Sequence, residues 1–233
     1  MLRLICLLLV LAAPAFGADS PFTPNHLFPR SGPAAAQGAL VWVPGTYGKG
    51  EPDPPAPPDL VGRLAARGLD VFQFDRKRHD DPLDGGGAIL ARGLAALRAD
   101  GYRRIVVAGH SRGAWIALTM LARPGLADAI VAVSVAAHGT QPERQPRARA
   151  DWEALWAAAT PGPTQVVLVQ LGDDPYDPDP RWRLDVAQAA AARAGLHLMP
   201  VFQPPMPRGH IGVYEPVFDE ALGAAIADFA DPR

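Results

Sequence analysis

Continuous runs of apolar residues alternate along this chain with longer segments whose apolar residues recur at helical spacing. Runs of this kind, without polar residues at every second position, are typical of strands that a sheet buries on both faces. They predict six strands, at 39–43, 69–74, 104–108, 129–136, 165–171 and 196–202. The segments between and after them predict helices at 59–68, 85–100, 114–121, 151–159, 181–194 and 215–230.

The alternation of strand and helix predicts the architecture. Right-handed crossovers between parallel strands place helices on both faces of one sheet, so we expect a three-layer α/β fold with a mostly parallel sheet. No opening antiparallel strand is evident in residues 18–37, which are rich in Pro, Ala and Gly. In such a sheet the loops at the carboxyl ends of the strands form the ligand crevice, and we expect the catalytic residues there.

The amino-terminal residues have the pattern of a targeting signal. The apolar run at 4–13 is too short to span a bilayer as a helix but suits the centre of a secretory signal. Small residues permit cleavage after Ala15 or after Gly17. This predicts a signal peptide at 1–17, a single domain at 18–233, and an exported protein, periplasmic or secreted, with no stable membrane anchor after cleavage. A retained membrane anchor is the alternative.

Composition narrows the classes of protein. With 233 residues, 48% of them hydrophobic and 20% charged, the chain has an ordinary globular composition and enough length for one sizeable core. A formal net charge of -2 gives no electrostatic reason to expect nucleic acid or an anionic membrane as a partner. Cys6 is the only cysteine and lies in the predicted signal, so a mature chain would have no disulfide, thiol nucleophile or thiolate metal site.

A Gly-x-Ser-x-Gly motif spans 109–113, between the predicted strand at 104–108 and the predicted helix at 114–121. A strand-to-helix turn is the context that this motif requires. Its serine takes a strained backbone to expose the hydroxyl, and side chains two positions before and after it would collide, which explains both glycines. The helix that follows stabilises developing negative charge. The motif therefore predicts that Ser111 is the nucleophile of a serine hydrolase.

This motif and the strand order resemble the α/β-hydrolase superfamily over nearly the whole chain after residue 17. Gly-His-Ser-x-Gly is a common form in its esterases, lipases and related hydrolases. The resemblance implies a catalytic triad in the chain order serine, acid, histidine. It also implies a minimal cap or none, because the segment at 139–150, where the family usually inserts a lid, is short.

The triad needs a histidine after the acid to accept the proton of the serine. His210 lies after the last predicted strand and just before the last predicted helix, which is where the family places its base. The other histidines lie before the serine, inside its motif, too early after it, or at the start of the last strand: His26, His79, His110, His138 and His197.

The acid is expected in the loop at 172–179, which follows the fifth predicted strand and is rich in aspartate. Asp174, followed by Pro and Tyr, matches the family pattern best, while Asp177 and Asp173 stay open as alternatives. A calcium site is a rival interpretation of so acidic a loop, although the spacing matches no regular calcium-binding loop.

Acyl transfer also needs hydrogen-bond donors for the oxyanion. The resemblance implies the backbone N–H groups of Arg112, which follows the nucleophile, and of Thr46, in the loop after the first predicted strand, with Tyr47 as the alternative to Thr46. No metal or organic cofactor is implied. Trp152 and Trp156, one turn apart on a predicted helix, either line the pocket or pack in the core.

The predicted function is that of an exported serine hydrolase that cleaves carboxylic ester or related acyl bonds of a small-molecule substrate through an acyl-enzyme. The choice of esters follows from analogy with the family. A peptidase, an amidase or an acyltransferase on the same triad is the alternative, and a non-catalytic binding protein with this fold is a further one.

Overall fold

The computed structural model describes residues 20–46, 56–75 and 83–231, so the predicted signal at 1–17 lies outside the described residues. Within these ranges seven strands form one sheet: β1 Phe22–Pro24, β2 Gly38–Val43, β3 Leu69–Phe74, β4 Ile105–His110, β5 Ala129–Val133, β6 Gln165–Gln170 and β7 His197–Phe202. Their spatial order is β1-β3-β2-β4-β5-β6-β7. Strands β2 to β7 run parallel to one another, and β1 runs antiparallel to β3.

Helices follow the parallel strands: α1 Asp59–Ala65, α2 Leu83–Ala99, α3 Arg112–Leu118, α4 Gln145–Ala157, α5 Pro180–Ala194, α6 Pro216–Phe218 and α7 Ala224–Ala230. A π-helical turn at Asp219–Gly223 separates α6 from α7, so the final helix predicted at 215–230 is interrupted. Helix α4 begins at Gln145 rather than at 151, with a proline in its first turn, where the missing N–H removes no helical hydrogen bond. Across the described ranges, none of the helices combines the length and the apolar character needed to cross a bilayer.

Two apolar cores cover the two faces of the sheet. Alternate residues of a strand enter opposite cores, so that in β2 Val41 and Val43 enter one and Leu40 and Trp42 enter the other. Helices α2 to α5 contribute side chains to the first core, and α1, α6 and α7 contribute to the second. The predicted three-layer α/β fold with a mostly parallel sheet is therefore confirmed.

Trp152 and Trp156, for which the sequence allowed either the pocket wall or the core, pack in the first core. Both side chains are fully buried, and the indole N–H of Trp152 donates to the carbonyl oxygen of Arg183, 3.1 Å away. They hold α4 against the sheet. Because α4 begins at Gln145, the second half of the segment at 139–150, where a lid would be inserted, belongs to the helix layer.

Strand β1 is the element that the hydrophobic pattern did not predict. It has three residues, which is too short a segment to show a period. The ring of Phe22 packs edge-on against that of Phe74 in β3, with centroids 5.9 Å apart, and Phe22 is only 3% exposed. A contact between residues distant in sequence thus forms this strand. The short antiparallel strand that was not evident in residues 18–37 is therefore present, in addition to the six predicted strands.

The ends of two strands differ from the prediction, and both differences affect the loops at the carboxyl edge. Strand β4 continues beyond residue 108 to His110, so it enters the Gly-x-Ser-x-Gly motif. Strand β5 ends at Val133 rather than at 136, because Ser134 takes a positive φ of 48°. The chain then turns towards the motif, where the backbone N–H of Ala136 donates to the carbonyl oxygen of Ser111 at 3.2 Å.

Candidate active site

Ser111 is the single residue between β4 and α3, and its backbone takes φ 55° and ψ −123°. Residues with a side chain rarely adopt a positive φ, and such strain is typical of functional sites. A Cβ on Gly113 would lie 2.0 Å from the carbonyl oxygen of Val43, and one on Gly109 would lie 2.7 Å from the carbonyl group of Gly113. Only glycine fits at either position, so the two glycines permit the turn that presents Ser111 at the edge of the sheet.

His210 lies against Ser111 in the fold, although 99 residues separate them in the chain. The Ser111 hydroxyl oxygen is 2.8 Å from His210 Nε2. His210 follows β7, in a loop that the neighbouring acidic loop holds in place, since the backbone N–H of Gly209 donates to the carbonyl oxygen of Gly172 at 2.7 Å. Two loops at the carboxyl ends of β6 and β7 therefore position the imidazole.

Asp174 completes a hydrogen-bonded chain with His210 and Ser111. Its carboxylate oxygens lie 2.9 and 3.0 Å from His210 Nδ1, and its side chain is only 2% exposed. The backbone N–H of Tyr176 donates to the same carboxylate at 2.9 Å. Because a carboxylate only accepts, Nδ1 carries the imidazole proton, which leaves Nε2 to accept the proton of the hydroxyl.

Asp177, the first alternative acid, has other partners. It lies in the interior, where it accepts a hydrogen bond from Gln170 Nε2 at 2.8 Å and lies 3.5 Å from Arg183 Nε. Burial raises the pKa of Asp177, against the opposing effect of Arg183, and burial likewise lowers the pKa of Arg183. This is a buried ion pair beneath the loop, and His210 is not among the partners that the structure gives Asp177.

The remaining carboxylates of the loop are on the surface. Asp173, the second alternative acid, pairs with Arg208 at 2.6 Å, and this cation lowers the pKa of Asp173. Asp179 pairs with Arg149 at 2.6 Å. The four carboxylates thus have different partners. Among the described residues, no group of three or more His, Cys, Asp or Glu is arranged to hold a metal ion, so the calcium interpretation finds no ligand set there.

His110, inside the motif, contacts His210 through a hydrogen bond and a ring contact. Its Nε2 lies 2.8 Å from the carbonyl oxygen of His210, and the two rings have centroids 4.9 Å apart. Burial lowers the pKa of His110 to about 4, so this imidazole is neutral at neutral pH and donates its Nε2 proton to that carbonyl. The sequence identified His110 only as part of the motif, and this contact was missed because it depends on a loop 100 residues away.

Thr46 and Arg112, the predicted oxyanion donors, both line the cavity that contains Ser111. Arg112 is the first residue of α3. The loop after β2 approaches the motif so closely that a Cβ on Gly45 would lie 2.9 Å from His110 Nδ1 and 3.1 Å from Ser111 Cβ. Both predicted donors therefore flank the serine. Tyr47, the alternative to Thr46, lies outside the described residues.

A cavity of about 530 Å³ opens around the serine, a size that suits a small molecule. Its walls combine small residues after β5 with the two loops that carry Asp174 and His210, and Trp152 and Trp156 are not among its lining residues. The lining residues are Thr46, His110, Ser111, Arg112, Ala136, Ala137, Gly139, Tyr176, His210 and Ile211.

No family profile matches the chain, and no curated protein matches it. Several solved structures do. A truncated carbohydrate esterase from gut microbiota aligns with a TM-score of 0.61 and 13% identity over 84% of this chain and 85% of that one. A phospholipase/carboxylesterase from Dyadobacter fermentans aligns with a TM-score of 0.59 and 15% identity over 88% and 96% of the two chains. An esterase from Pyrococcus furiosus aligns with a TM-score of 0.60 and 14% identity over 83% and 81%. At these identities the likeness shows a shared fold and nothing further.

Proposed function

Because the chain has the α/β-hydrolase fold that its sequence resembled, we propose that it is a serine hydrolase acting on carboxylic esters. One observation carries the proposal. The Ser111 hydroxyl, on a strained strand-to-helix turn, lies 2.8 Å from His210 Nε2, while His210 Nδ1 lies 2.9 Å from the buried carboxylate of Asp174. This is the geometry in which a neutral hydroxyl becomes a nucleophile at neutral pH.

In the proposed reaction, Ser111 Oγ attacks the carbonyl carbon of the ester while His210 Nε2 takes the hydroxyl proton. Asp174 keeps the Nδ1 proton in place and stabilises the imidazolium that forms. The oxyanion accepts hydrogen bonds from the backbone N–H groups of Arg112 and Thr46. When the tetrahedral intermediate collapses, the C–O bond to the alcohol breaks and His210 returns its proton to the leaving oxygen. Water then attacks the acyl-enzyme by the same route and releases the acid.

The preference for esters over amides or acyl transfer rests on analogy. The solved structures of the same fold include a carbohydrate esterase and a phospholipase/carboxylesterase. Their names describe their own activities, and they support the choice of an ester as the first substrate to test.

The test is covalent labelling with a fluorophosphonate together with hydrolysis of p-nitrophenyl acetate. We expect the wild-type protein to be labelled and active. Ser111→Ala should remove the labelling and lower kcat by about 10⁴-fold or more, because the nucleophile is lost. Ser31→Ala, at an exposed serine outside the cavity, is the matched control and should leave both readouts unchanged.

Labelling or hydrolysis that persists in Ser111→Ala would overturn the proposed nucleophile. A wild-type protein that is folded but neither labelled nor active would favour a non-catalytic binding protein. Product analysis with peptides and alcohol acceptors then separates ester hydrolysis from amide cleavage and acyl transfer.

A further inference from the structure

The exposed side chains of Tyr176 and Ile211 line the cavity together with the proposed base, His210. The ring of Tyr176 lies over that of His210, with centroids 4.2 Å apart and an angle of 38° between the planes. Ile211 follows His210 in the chain and is 67% exposed, and Tyr176 is 36% exposed. Both residues line the same cavity as Ser111. Single exposed apolar residues are ordinary on a protein surface, but two that share a cavity with a nucleophile form an apolar surface beside it.

Hydrogen bonds fix the backbone at both residues. The N–H of Tyr176 donates to the Asp174 carboxylate at 2.9 Å, which ties its ring to the same acid that orients His210. The carbonyl oxygen of Ile211 accepts a hydrogen bond from the N–H of Tyr214 at 3.0 Å, in the turn that begins the last helical segment. The backbone of both residues and the ring of Tyr176 are therefore in place before a ligand binds, which limits the conformational freedom that binding removes.

The chemistry of the proposed reaction decides which half of the substrate meets this surface. His210 Nε2 must reach the leaving oxygen in order to protonate it as the C–O bond breaks. The alcohol half therefore lies beside the imidazole. The carbonyl oxygen lies instead towards the backbone N–H groups of Arg112 and Thr46. Groups that flank the imidazole thus contact the alcohol half rather than the oxyanion.

Charged groups of the same two loops are paired with one another. Asp173 and Arg208 pair with each other at 2.6 Å, and Asp174 is bound to His210. Among the cavity-lining residues, Tyr176 supplies an aromatic ring with one hydroxyl, and Ile211 supplies a branched hydrocarbon. An apolar group bound against the ring and the hydrocarbon would be removed from water.

We propose that Tyr176 and Ile211 form an alcohol-side subsite that selects esters of apolar alcohols over esters of polar alcohols. The inference rests on the proposed function and extends it from the class of bond to the chemistry of the leaving group. Each methylene group that is fully removed from water contributes about a fourfold preference, so a partly covered butyl or benzyl group should gain about tenfold over methyl.

The experiment uses acetate esters, so that every substrate gives the same acetyl-enzyme and differences in kcat/KM report the alcohol half alone. The substrates are methyl, butyl, benzyl and 2-methoxyethyl acetate, of which butyl and 2-methoxyethyl have the same length and differ in one ether oxygen. The full chain is assayed as wild type and as the variants Ile211→Ser, Tyr176→Ala and Tyr176→Phe. Leu27→Ser is the matched control, because Leu27 is 56% exposed and does not line the cavity.

We expect the wild type to prefer butyl over 2-methoxyethyl acetate by about fivefold to tenfold in kcat/KM. Ile211→Ser and Tyr176→Ala should each reduce this preference to about twofold or less, while Tyr176→Phe, which keeps the ring, should retain it. Leu27→Ser should leave the full wild-type profile unchanged. Thermal melts check that each variant is folded.

A wild type that hydrolyses acetates without preference, or a preference that survives in both Ile211→Ser and Tyr176→Ala, overturns this inference and leaves the proposed function intact. Loss of the preference in Tyr176→Phe overturns the apolar assignment, because it would place recognition on the hydroxyl. A folded wild type that hydrolyses none of the esters overturns the proposed function and this inference together.

Discussion

At the scale of the residue, neighbouring aspartates of one loop differ in burial, hydrogen-bond partners and pKa because their surroundings differ. Asp174 has its carboxylate on His210 and is almost fully buried. Asp177, three positions further, is buried with Arg183, and burial raises its pKa. Asp173 is exposed and pairs with Arg208. The residue type is the same in all three cases, so the environment determines which carboxylate can orient the proposed base.

Substitution of these aspartates should separate catalysis from stability. Asp174→Asn keeps the size of the side chain but replaces an acceptor oxygen by a donor, which favours the wrong tautomer of His210 and should lower kcat by about 10⁴-fold. Asp177→Asn leaves the Arg183 cation buried without its counter-charge, which should cost about 3 kcal/mol of unfolding free energy while kcat stays within a few-fold. Ester hydrolysis and urea denaturation measure the two effects.

Asp173→Asn is the surface control for both variants and should change neither readout measurably. A large loss of kcat in Asp177→Asn, with activity retained in Asp174→Asn, would assign the acid to Asp177 and contradict the hydrogen-bonded chain described above.

At the scale of the element, the turn between β4 and α3 combines a strained residue with two close backbone approaches. Only Ser111 lies between the strand and the helix, and its positive φ redirects the chain. Gly109 and Gly113 allow the backbone of the turn to pack against itself and against the end of β2. The hydroxyl is therefore positioned by contacts among three elements, rather than by the motif alone.

A methyl group at the second glycine should disrupt this turn. Gly113→Ala places a Cβ 2.0 Å from the Val43 carbonyl oxygen, so we expect a loss of several kcal/mol in unfolding free energy and of most ester hydrolysis. Gly62→Ala is the matched control within α1, where the nearest atom to a new Cβ is 3.8 Å away on Phe28. It should stabilise the protein by about 0.5–1 kcal/mol, because alanine favours the helix. Wild-type stability and activity in Gly113→Ala would contradict the close packing of the turn.

At the scale of the whole molecule, the proposed nucleophile follows a buried central strand, whereas the proposed base follows an edge strand with exposed side chains. Ser111 follows β4, which is completely buried and pairs with β2 on one side and β5 on the other. His210 follows β7, which lies at one edge of the described sheet, pairs with β6 and has largely exposed or half-buried side chains. Edge elements with few buried contacts open at lower free energy than central ones.

Denaturation should therefore abolish enzymatic activity under milder conditions than those that unfold the central sheet. In urea, we expect ester hydrolysis to decline at a lower concentration than the far-ultraviolet circular dichroism signal, because opening of β7 displaces His210 while the central sheet persists. Hydrogen exchange should be slower for amides of β4 and β5 than for amides of β7. Coincident loss of activity and of circular dichroism would contradict this order and would indicate that β7 unfolds only with the whole sheet.

The difference between local patterns and contacts distant in sequence explains which elements could be predicted from the sequence. The central strands β2, β4 and β5 are completely buried, and burial on both faces favours apolar residues along the whole strand, which is a local pattern in the sequence. Strand β1 has no such pattern, because it is held by the packing of Phe22 on Phe74 in a distant strand. The interruption of the last helix is likewise non-local. Asp219, at the start of the π-helical turn, binds Arg63 of α1. Its carboxylate lies so close to Gly223 that a Cβ there would be 2.1 Å from it.

The sequence by itself determined the layered fold, the motif around Ser111 and the order in which an acid and a histidine follow it, because each is encoded in neighbouring residues or in chain order. The tertiary structure alone decided which aspartate meets His210, how His110 contacts it, and that Tyr176 lies over its ring. Ser111 and His210 are 99 residues apart in the chain, and Asp174 and His210 are 36 apart. Hydrogen bonds act over about 3 Å, so which groups lie within that distance of one another is fixed only once the chain has folded.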